Sequence, residues 1–186
     1  MNDKEKHICP VERANGLDNF FRKLVQKPKK ILKDYVKEGM TVLDVGCGPG
    51  FFSVEIADMV GASGKVIAVD LQQGMLDKIK NKIEGTEIEN IIELHKCEED
   101  RIGISTNVDL VLAFYMVHEV PDQNKFLKEM YSILKPDGTF FIVEPAFHVS
   151  KKAFEETVNR AVAIGFSQAK RPGMILSRTV VLKKHT

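Results

Sequence analysis

The sequence predicts one α/β domain, built on a doubly wound sheet of seven mostly parallel strands with helices on both faces. From about residue 28 onward, apolar runs of strand length alternate with amphipathic runs of helix length. This alternation is typical of a parallel sheet, because a crossover helix must carry the chain back between parallel strands. The length of 186 residues is sufficient for one such domain with a full core.

The first element of this core is a predicted helix over 28–39, since Pro28 stands in its first turn and Gly39 at its end. A turn is predicted at 135–138, just before the fifth strand. The elements that follow the first helix are predicted as a strand at 42–45, a helix at 50–60, a strand at 65–70, a helix at 73–84, strands at 91–95 and 108–113, a helix at 122–134, a strand at 138–144 and a helix at 150–164.

Two β-like runs close the chain, at 166–170 and 175–183, on either side of the turn-forming tripeptide Arg171-Pro172-Gly173. A hairpin at this turn would make the last strand antiparallel to the others. These two runs bring the predicted sheet to seven strands.

The loop after the first strand carries the strongest functional signal. Its glycines follow the spacing G-x-G-x-G at Gly46, Gly48 and Gly50, and a helical pattern begins at once. A glycine loop between a strand and a helix builds a small-molecule site at the carboxyl edge of a parallel sheet. A dinucleotide fingerprint would need a third glycine where Phe51 stands. Asp44, two residues before the loop, suits a cationic ligand end better than a pyrophosphate.

The second strand supports a nucleoside site. It ends at Asp70, about twenty residues beyond the loop, where an acidic side chain holds ribose hydroxyls in nucleotide-binding sheets. Leu71 and Met75 follow, and two interpretations are open for them: walls around an adenine ring, or plain core residues.

Five segments in order carry a family resemblance: LDVGCGPG, VIAVD, KCEED, VDLVLAFYMVHEV and LKPDGTFFIVEP. Over about residues 28–185 the chain resembles the class I S-adenosylmethionine (SAM) dependent methyltransferases. It is most similar to the small-molecule group that includes the enzymes of ubiquinone and menaquinone biosynthesis. The resemblance implies a Rossmann-like fold with an antiparallel C-terminal strand. It also implies SAM as cofactor, S-adenosylhomocysteine as product, and in-line methyl transfer to a small-molecule acceptor.

The resemblance also implies roles for the loop residues. Gly46, Cys47, Gly48 and Gly50 would wrap the amino-acid end of SAM, with Cys47 contributing its backbone. Asp44 would lie near the ammonium of SAM, directly or through water. The alternative for Asp44 is a carboxylate that accepts hydrogen bonds from the loop amides.

Further residues follow from the later motifs. Cys97 stands where the family often has an acidic residue for the adenine amino group, so the chain departs from the pattern there. Glu98 or the backbone would have to replace that contact. Ala113 marks the strand end where the methyl donor should lie. Tyr115 and His118 follow as catalytic candidates. Each is either a satisfied structural residue or a border of the acceptor pocket, and His118 is also the candidate general base if the acceptor is a neutral hydroxyl.

The N-terminal residues 1–27 lie outside this core domain of residues 28–186. Two interpretations are open for them: a helix packed on the carboxyl edge of the sheet, or a lid that closes over the cofactor. The apolar positions that recur there at helical spacing are Leu17, Phe20, Phe21, Leu24 and Val25.

Composition excludes several classes of protein. The chain has 27 Lys and Arg against 26 Asp and Glu, a net charge of +1, which disfavours a dedicated nucleic-acid binder. The sequence contains no apolar run of the roughly 20 residues that a membrane span needs. Three cysteines and the charged N-terminus indicate a reducing, cytoplasmic setting and no metal site is predicted. An RNA or protein methyltransferase that uses the basic segment 22–37, and a SAM-binding module without transferase activity, remain as alternatives.

Overall fold

The computed structural model describes residues 27–185, which form a seven-stranded sheet in the order β3-β2-β1-β4-β5-β7-β6. The predicted lid over residues 1–27 lies outside this range, apart from Lys27. In chain order the elements are α1 (Pro28–Leu32), β1 (Thr41–Val45), α2 (Phe51–Val60), β2 (Lys65–Asp70), α3 (Gln73–Ile83), β3 (Ile92–Lys96), β4 (Val108–Phe114), a 3₁₀ turn (Val117–Glu119), α4 (Gln123–Ile133), β5 (Leu134–Pro145), α5 (Lys151–Ile164), β6 (Phe166–Lys170) and β7 (Ser177–Lys184).

The strand directions confirm the predicted topology. Strands β1 to β5 pair in parallel, and β7 runs antiparallel to both of its neighbours, β5 and β6. The chain moves outward from β1 to β2 and β3, then returns to the other side of β1 with β4. The sheet therefore has its topological switch point between β1 and β4, where open α/β sheets place their ligands.

The core consists of two apolar layers, one on each face of the sheet. Side chains alternate between faces along a strand, so Leu43 and Val45 belong to one layer and Val42 to the other. The layer with Leu43 also contains the apolar faces of α4 and α5, whereas the layer with Val42 contains those of α1, α2 and α3. Helices therefore cover both faces, as predicted.

The predicted helix over 28–39 is wrong in its length. The helix ends at Leu32, and the chain continues in turns in which the amides of Tyr35 and Val36 both donate to the Leu32 carbonyl, at 2.8 Å each. Gly39, with φ +79°, lies in the turn before β1 and does not end the helix.

The predicted turn at 135–138 lies inside strand β5. Leu134 pairs with Val108, and the next pair is Thr139 with Leu110, so the residues between form a wide bulge. Asp137 within it has φ +60°, which is a turn-like conformation in an otherwise extended strand. Asp137 therefore has a turn conformation inside the predicted turn, but strand β5 pairs with β4 on both sides of it.

None of the helices within residues 27–185 has the length and apolar character needed to cross a bilayer.

Candidate active site

The three loop glycines all have positive φ, but they serve different purposes. The angles are +67° at Gly46, +53° at Gly48 and +82° at Gly50, a region that side chains disfavour. A Cβ atom at Gly46 would lie 2.9 Å from Cβ of Met116, and one at Gly50 would lie 2.7 Å from Cγ1 of Ile79. A Cβ at Gly48 would meet no atom of the described chain within 4 Å. Gly46 and Gly50 therefore allow close packing, whereas Gly48 borders space that no described atom fills.

The glycine loop is hydrogen-bonded to the end of strand β2. The amides of Gly46 and Cys47 donate to the Val69 carbonyl at 2.9 and 3.0 Å, and the amide of Gly48 donates to Oδ2 of Asp70 at 2.9 Å. The loop backbone is thus fixed by the strand and does not depend on a ligand for its shape.

Asp70 connects the two strand ends. Its side chain is buried, and besides the Gly48 amide it accepts the amide of Gln72 on Oδ1 at 2.9 Å. Burial raises the pKa of Asp70, although the amide hydrogen bonds act in the opposite direction. A carboxylate has about four acceptor positions, and the backbone amides of Gly48, Gln72 and Leu71 interact with that of Asp70. Asp70 therefore retains capacity to accept a hydrogen bond from a ribose hydroxyl.

Asp44 lies beneath the loop and is 2% exposed. Its Oδ2 accepts a hydrogen bond of 2.6 Å from Oγ of Ser53, in the first turn of α2. Burial raises the pKa of Asp44 to about 7, against the effect of the Ser53 hydrogen bond and with a further contribution from the charge of Asp70. Among residues 27–185, Asp70 is the carboxylate that receives a loop amide, and Asp44 instead bonds the helix.

The predicted adenine walls lie along the next segments of this edge. Met75 is buried but belongs to neither of the two core layers, while Leu71 is half-buried. Cys97 is half-buried, and its amide donates to the Asp70 carbonyl at 3.2 Å. Glu98 is exposed, and its amide donates to the carbonyl of Arg101 at 3.0 Å.

The two cysteines near the loop carry unreactive thiols. Burial raises the pKa of Cys47 well above its ordinary value, and the charges of Asp44 and Asp70 act in the same direction. Burial also raises the pKa of Cys97 to about 11, with Asp70 again adding to the effect. A protonated thiol is a poor nucleophile, so these surroundings do not favour a nucleophilic role for Cys47.

On the other side of the switch point, strand β4 ends in a strained turn. The side chain of Ala113 is fully buried in the core layer of α4 and α5. Tyr115, two residues later, has φ +62°, which is rare for a residue with a side chain. Its amide donates to the Val143 carbonyl at 2.8 Å, and its hydroxyl lies 2.6 Å from Oγ of Ser177. Such strain persists where surrounding contacts fix the backbone, and it is common at functional sites.

His118 is paired with Glu144, a residue that the sequence interpretation did not include. Nδ1 of His118 lies 2.5 Å from Oε2 of Glu144, and the His118 amide donates to Oε1 at 3.2 Å. Glu144 lies near the carboxyl end of β5 and is 2% exposed. The predicted strand at 138–144 ended on this glutamate, so the signal used for Asp70, an acidic side chain at a strand end, was present for Glu144 as well.

Two more groups complete the surroundings of His118. Nε2 lies 4.0 Å from Oε1 of Glu119, and the His148 ring centroid is 5.0 Å away. Burial on its own would lower the pKa of His118, but the hydrogen bond and charge of Glu144, with the charge of Glu119, outweigh it and raise that pKa. Burial raises the pKa of Glu119 to about 7. No group of three or more His, Cys, Asp or Glu side chains within the described range could hold a metal ion.

Comparison with known proteins relates this arrangement to one enzyme family. A family model described as "Methyltransferase domain" matches residues 36–177. The chain is 36% identical over 130 residues to a demethylmenaquinone methyltransferase of Lactobacillus johnsonii, an alignment covering 69% of this chain and 51% of the relative. It is 31% identical over 147 residues to the enzyme of that name from Staphylococcus aureus, covering 77% and 60%. The aligned part thus spans only about half to three fifths of the length of these curated relatives.

A solved structure agrees over nearly the whole chain. The crystal structure of a SAM-dependent methyltransferase from Aquifex aeolicus superposes with a TM-score of 0.78 at 27% identity and covers 98% of both chains. The family and this neighbour imply SAM as the cofactor, and the open space at Gly48 beside Asp70 is compatible with it. Since the family model covers most of its length, the chain belongs to the methyltransferase domain family.

Proposed function

We propose that this protein is a SAM-dependent methyltransferase that transfers a methyl group to a small-molecule acceptor by in-line displacement. The observation that carries the proposal is the open space at Gly48, whose amide is held by Asp70 beside the switch point of the sheet. This position contrasts with Gly46 and Gly50, where an added Cβ would collide with a side chain.

In this proposal, each strand end contacts a different part of the cofactor. Asp70 would hold the ribose hydroxyls, and Leu71 and Met75 would border the adenine together with the backbone at Cys97 and Glu98. Gly46, Cys47, Gly48 and Gly50 would surround the amino-acid end, and Asp44 would lie near its ammonium. When bound, SAM supplies a methyl group that is already activated by the positive charge on sulfur.

The protein must then place the acceptor atom in line with the leaving sulfur at near-attack distance. Ala113 would contribute its backbone at the end of β4, and Tyr115 and His118 would border the acceptor. Tyr115 is well fixed for this role, because its backbone is anchored to Val143 and its hydroxyl to Ser177.

The surface next to Tyr115 favours an apolar acceptor. Phe147, Ile175 and Leu176 are 78%, 75% and 67% exposed, and the Ala146 amide donates to the Leu176 carbonyl at 2.9 Å, which brings their two loops together. Leu176 directly precedes Ser177, the partner of the Tyr115 hydroxyl. Demethylmenaquinone, named for the curated relatives, is therefore the first acceptor to test.

We also propose that residues 1–27 act as a lid over the site. Lys27 and Pro28 line a cavity of about 540 Å³ together with Gly50, Phe51 and Val54. The described chain thus begins beside the glycine loop, from which a preceding segment has a short path to the cofactor. Free thiols at Cys47 and Cys97 support a reducing, cytoplasmic setting.

Within the basic segment, the charge of Lys29 is not directed toward an RNA or protein substrate. Lys29 pairs with Asp58 at 3.1 Å and with Glu55 at 3.5 Å, so its charge is matched within the domain. A phosphate-binding surface would need cations directed away from such partners.

The test is a transfer assay with methyl-labelled SAM and reduced demethylmenaquinone, followed by mass spectrometry of the extracted quinone. The expected result is one added methyl group on the acceptor and equal formation of S-adenosylhomocysteine. If the protein binds SAM but methylates neither this acceptor nor any member of a panel of phenols, hydroquinones and thiols, the alternative of a binding module without transferase activity replaces the proposal. Methylation of bulk RNA or protein at low salt would instead favour a macromolecular substrate.

A further inference from the structure

The pairing of His118 with Glu144 points to a narrower class of acceptor. Resting on the methyl transfer proposed above, we propose that Glu144 is a positioning residue that holds Nδ1 of His118 as the donor and leaves Nε2 as the proton acceptor. The acceptor would then be a phenol or hydroquinone, whose hydroxyl must lose its proton as the methyl group is transferred.

The geometry around His118 supports this role for Glu144. Glu144 uses both carboxylate oxygens on one residue, with Oε1 accepting the backbone amide of His118 and Oε2 contacting ring Nδ1 at 2.5 Å. The amide contact alone would be sufficient to fix the 3₁₀ turn to strand β5. The second contact fixes the ring as well, so that Nδ1 carries its proton toward Glu144 and Nε2 has its lone pair directed away.

The burial and charge of Glu144 also support this role. Glu144 is almost fully buried, and a buried carboxylate is costly unless a charged or hydrogen-bonding partner accompanies it. A carboxylate on Nδ1 stabilises the imidazolium that forms when Nε2 takes a proton. His118 itself keeps a side-chain exposure of 20%, so a small molecule can approach it.

Several titratable groups lie near His118 and affect its titration. Glu144 approaches from β5, Glu119 from the same 3₁₀ turn, and His148 from the loop after β5. Asp70, at the end of β2, acts through Glu119, whose pKa its charge helps to raise after the larger effect of burial. Glu144 is the nearest of these, so its charge should dominate.

The chemical step is balanced in atoms and electrons. In attack by oxygen, the hydroxyl proton passes to Nε2 of His118, and the oxygen pair forms the new bond to the methyl carbon. The pair of the broken carbon–sulfur bond stays on sulfur, which leaves as a neutral thioether. In attack by a ring carbon next to the hydroxyl, the same proton would move to Nε2, the O–H pair would form a carbonyl, and a ring π pair would form the bond to the methyl carbon. That carbon would then lose its hydrogen as a proton to solvent, the C–H pair would restore the aromatic ring, and the oxygen would take its proton back from Nε2.

The first test needs no acceptor and no cofactor. Nitrogen NMR of the histidine rings in the free protein, with His118 assigned through H118N, reports both tautomer and titration midpoint. We expect the neutral ring to carry its proton on Nδ1 in the wild type. The midpoint of E144Q should move to lower pH, while E119Q, the matched control, should keep the wild-type tautomer. A neutral ring protonated on Nε2, or an unchanged midpoint in folded E144Q, would overturn the proposal.

The second test measures turnover with reduced demethylmenaquinone as the probe. E144Q should lower kcat about ten- to a hundredfold and move the acidic limb of the rate profile to lower pH, with unchanged affinity for S-adenosylhomocysteine. E144D, which keeps the charge, should recover part of kcat and return the limb toward the wild type. If E144Q does not fold, the turnover and pH profile of E144D and the tautomer of His118 in the wild type still test the role of Glu144. Failure of SAM binding in the wild type would reject the proposed function, whereas normal binding with an unshifted profile would reject this inference alone.

Discussion

The two sides of the candidate site hold their ionisable groups by different means. On the β1–β2 side, Asp44 and Asp70 are bonded to a hydroxyl and to backbone amides of their own loop and strand ends. On the β4–β5 side, His118 and Glu144 hold each other across 26 residues of sequence. The first side has a shape set by the backbone, and the second has a shape set by a pair of side chains.

This difference indicates a division of labour. A site formed by backbone amides and glycine conformations is rigid and suits a cofactor that is the same in every reaction of the family. A site formed by paired side chains can vary with the acceptor, because a few substitutions change its chemistry and leave the sheet intact. If this division holds, substitutions on one side should leave the function of the other side intact.

The largest expected effect is on the acceptor side. His118→Ala should lower turnover about a hundredfold or more, because it removes the proton acceptor, while affinity for S-adenosylhomocysteine stays at the wild-type value. Part of the loss should be recovered at high pH, where the acceptor ionises unaided. Steady-state rates and calorimetry on the same preparation provide the check. His148→Ala, which changes the neighbouring ring, is the control and should retain most of its turnover.

The corresponding change on the cofactor side is Asp70→Ala. It should weaken binding of S-adenosylhomocysteine about ten- to a hundredfold, through loss of charge-assisted hydrogen bonds to the ribose. It also leaves the amides of Gly48 and Gln72 without their acceptor, so the loop should loosen as well. Wild-type affinity in this variant would mean that Asp70 stabilises the loop and does not bind the ribose.

The loop glycines allow a matched comparison within five residues. Gly50→Ala should lower the free energy of unfolding by about 1–3 kcal/mol, since its Cβ would collide with Ile79. Gly48→Ala should cost only the backbone penalty, about 1 kcal/mol, yet weaken cofactor binding because its Cβ would enter the open space. Urea unfolding and calorimetry distinguish the two. Equal affinity in Gly48→Ala and wild type would mean that the space at Gly48 is not the ligand site.

The same division explains which parts of the site could be predicted from the sequence. The glycine loop and Asp70 were recognised because backbone conformation leaves a local trace: glycines at fixed spacing and an acid at a strand end. Glu144 was not connected to His118, because their contact depends on the register between β4 and β5. The bulge in β5 was missed for a related reason, since it depends on the pairing of β5 with β4. The short first helix was missed because the sequence pattern places its end at Gly39, whereas the helix ends at Leu32.

A pH dependence should distinguish Asp44 as a cofactor contact. Its pKa of about 7 in the free protein means that much of it is protonated at or below neutral pH. A bound ammonium favours the ionised form, so binding should release a proton. Affinity for SAM should therefore rise with pH, by at most about tenfold per unit between pH ~5 and ~7, and level off above.

The control for that measurement is Asp44→Asn, which can still accept a hydrogen bond from Ser53 but cannot ionise. Calorimetry at pH ~6 in two buffers with different protonation enthalpies should detect proton release in the wild type and none in the variant. Identical pH profiles for the two proteins would leave Asp44 as a structural acid under helix α2.

The smallest effect is expected at the exposed apolar surface. Ile175→Ser removes one apolar contact and should raise KM for the acceptor about threefold, a loss of less than 1 kcal/mol, with kcat and cofactor affinity unchanged. Val162→Ser, an exposed apolar position on helix α5, is the matched control and should change none of these constants. An equal effect of both variants would remove the apolar surface from the acceptor site.

The central claim is that the β1–β2 side binds the SAM nucleoside independently of the β4–β5 side. Calorimetric titration of S-adenosylhomocysteine into the wild type and into E144Q tests this claim most directly. The predicted result is a Kd of about 1 μM, roughly −8 kcal/mol, in both proteins, with no competition by NADH because Phe51 occupies the position where a dinucleotide loop needs glycine. Absence of heat up to about 1 mM ligand, displacement by NADH, or loss of binding in folded E144Q would contradict it.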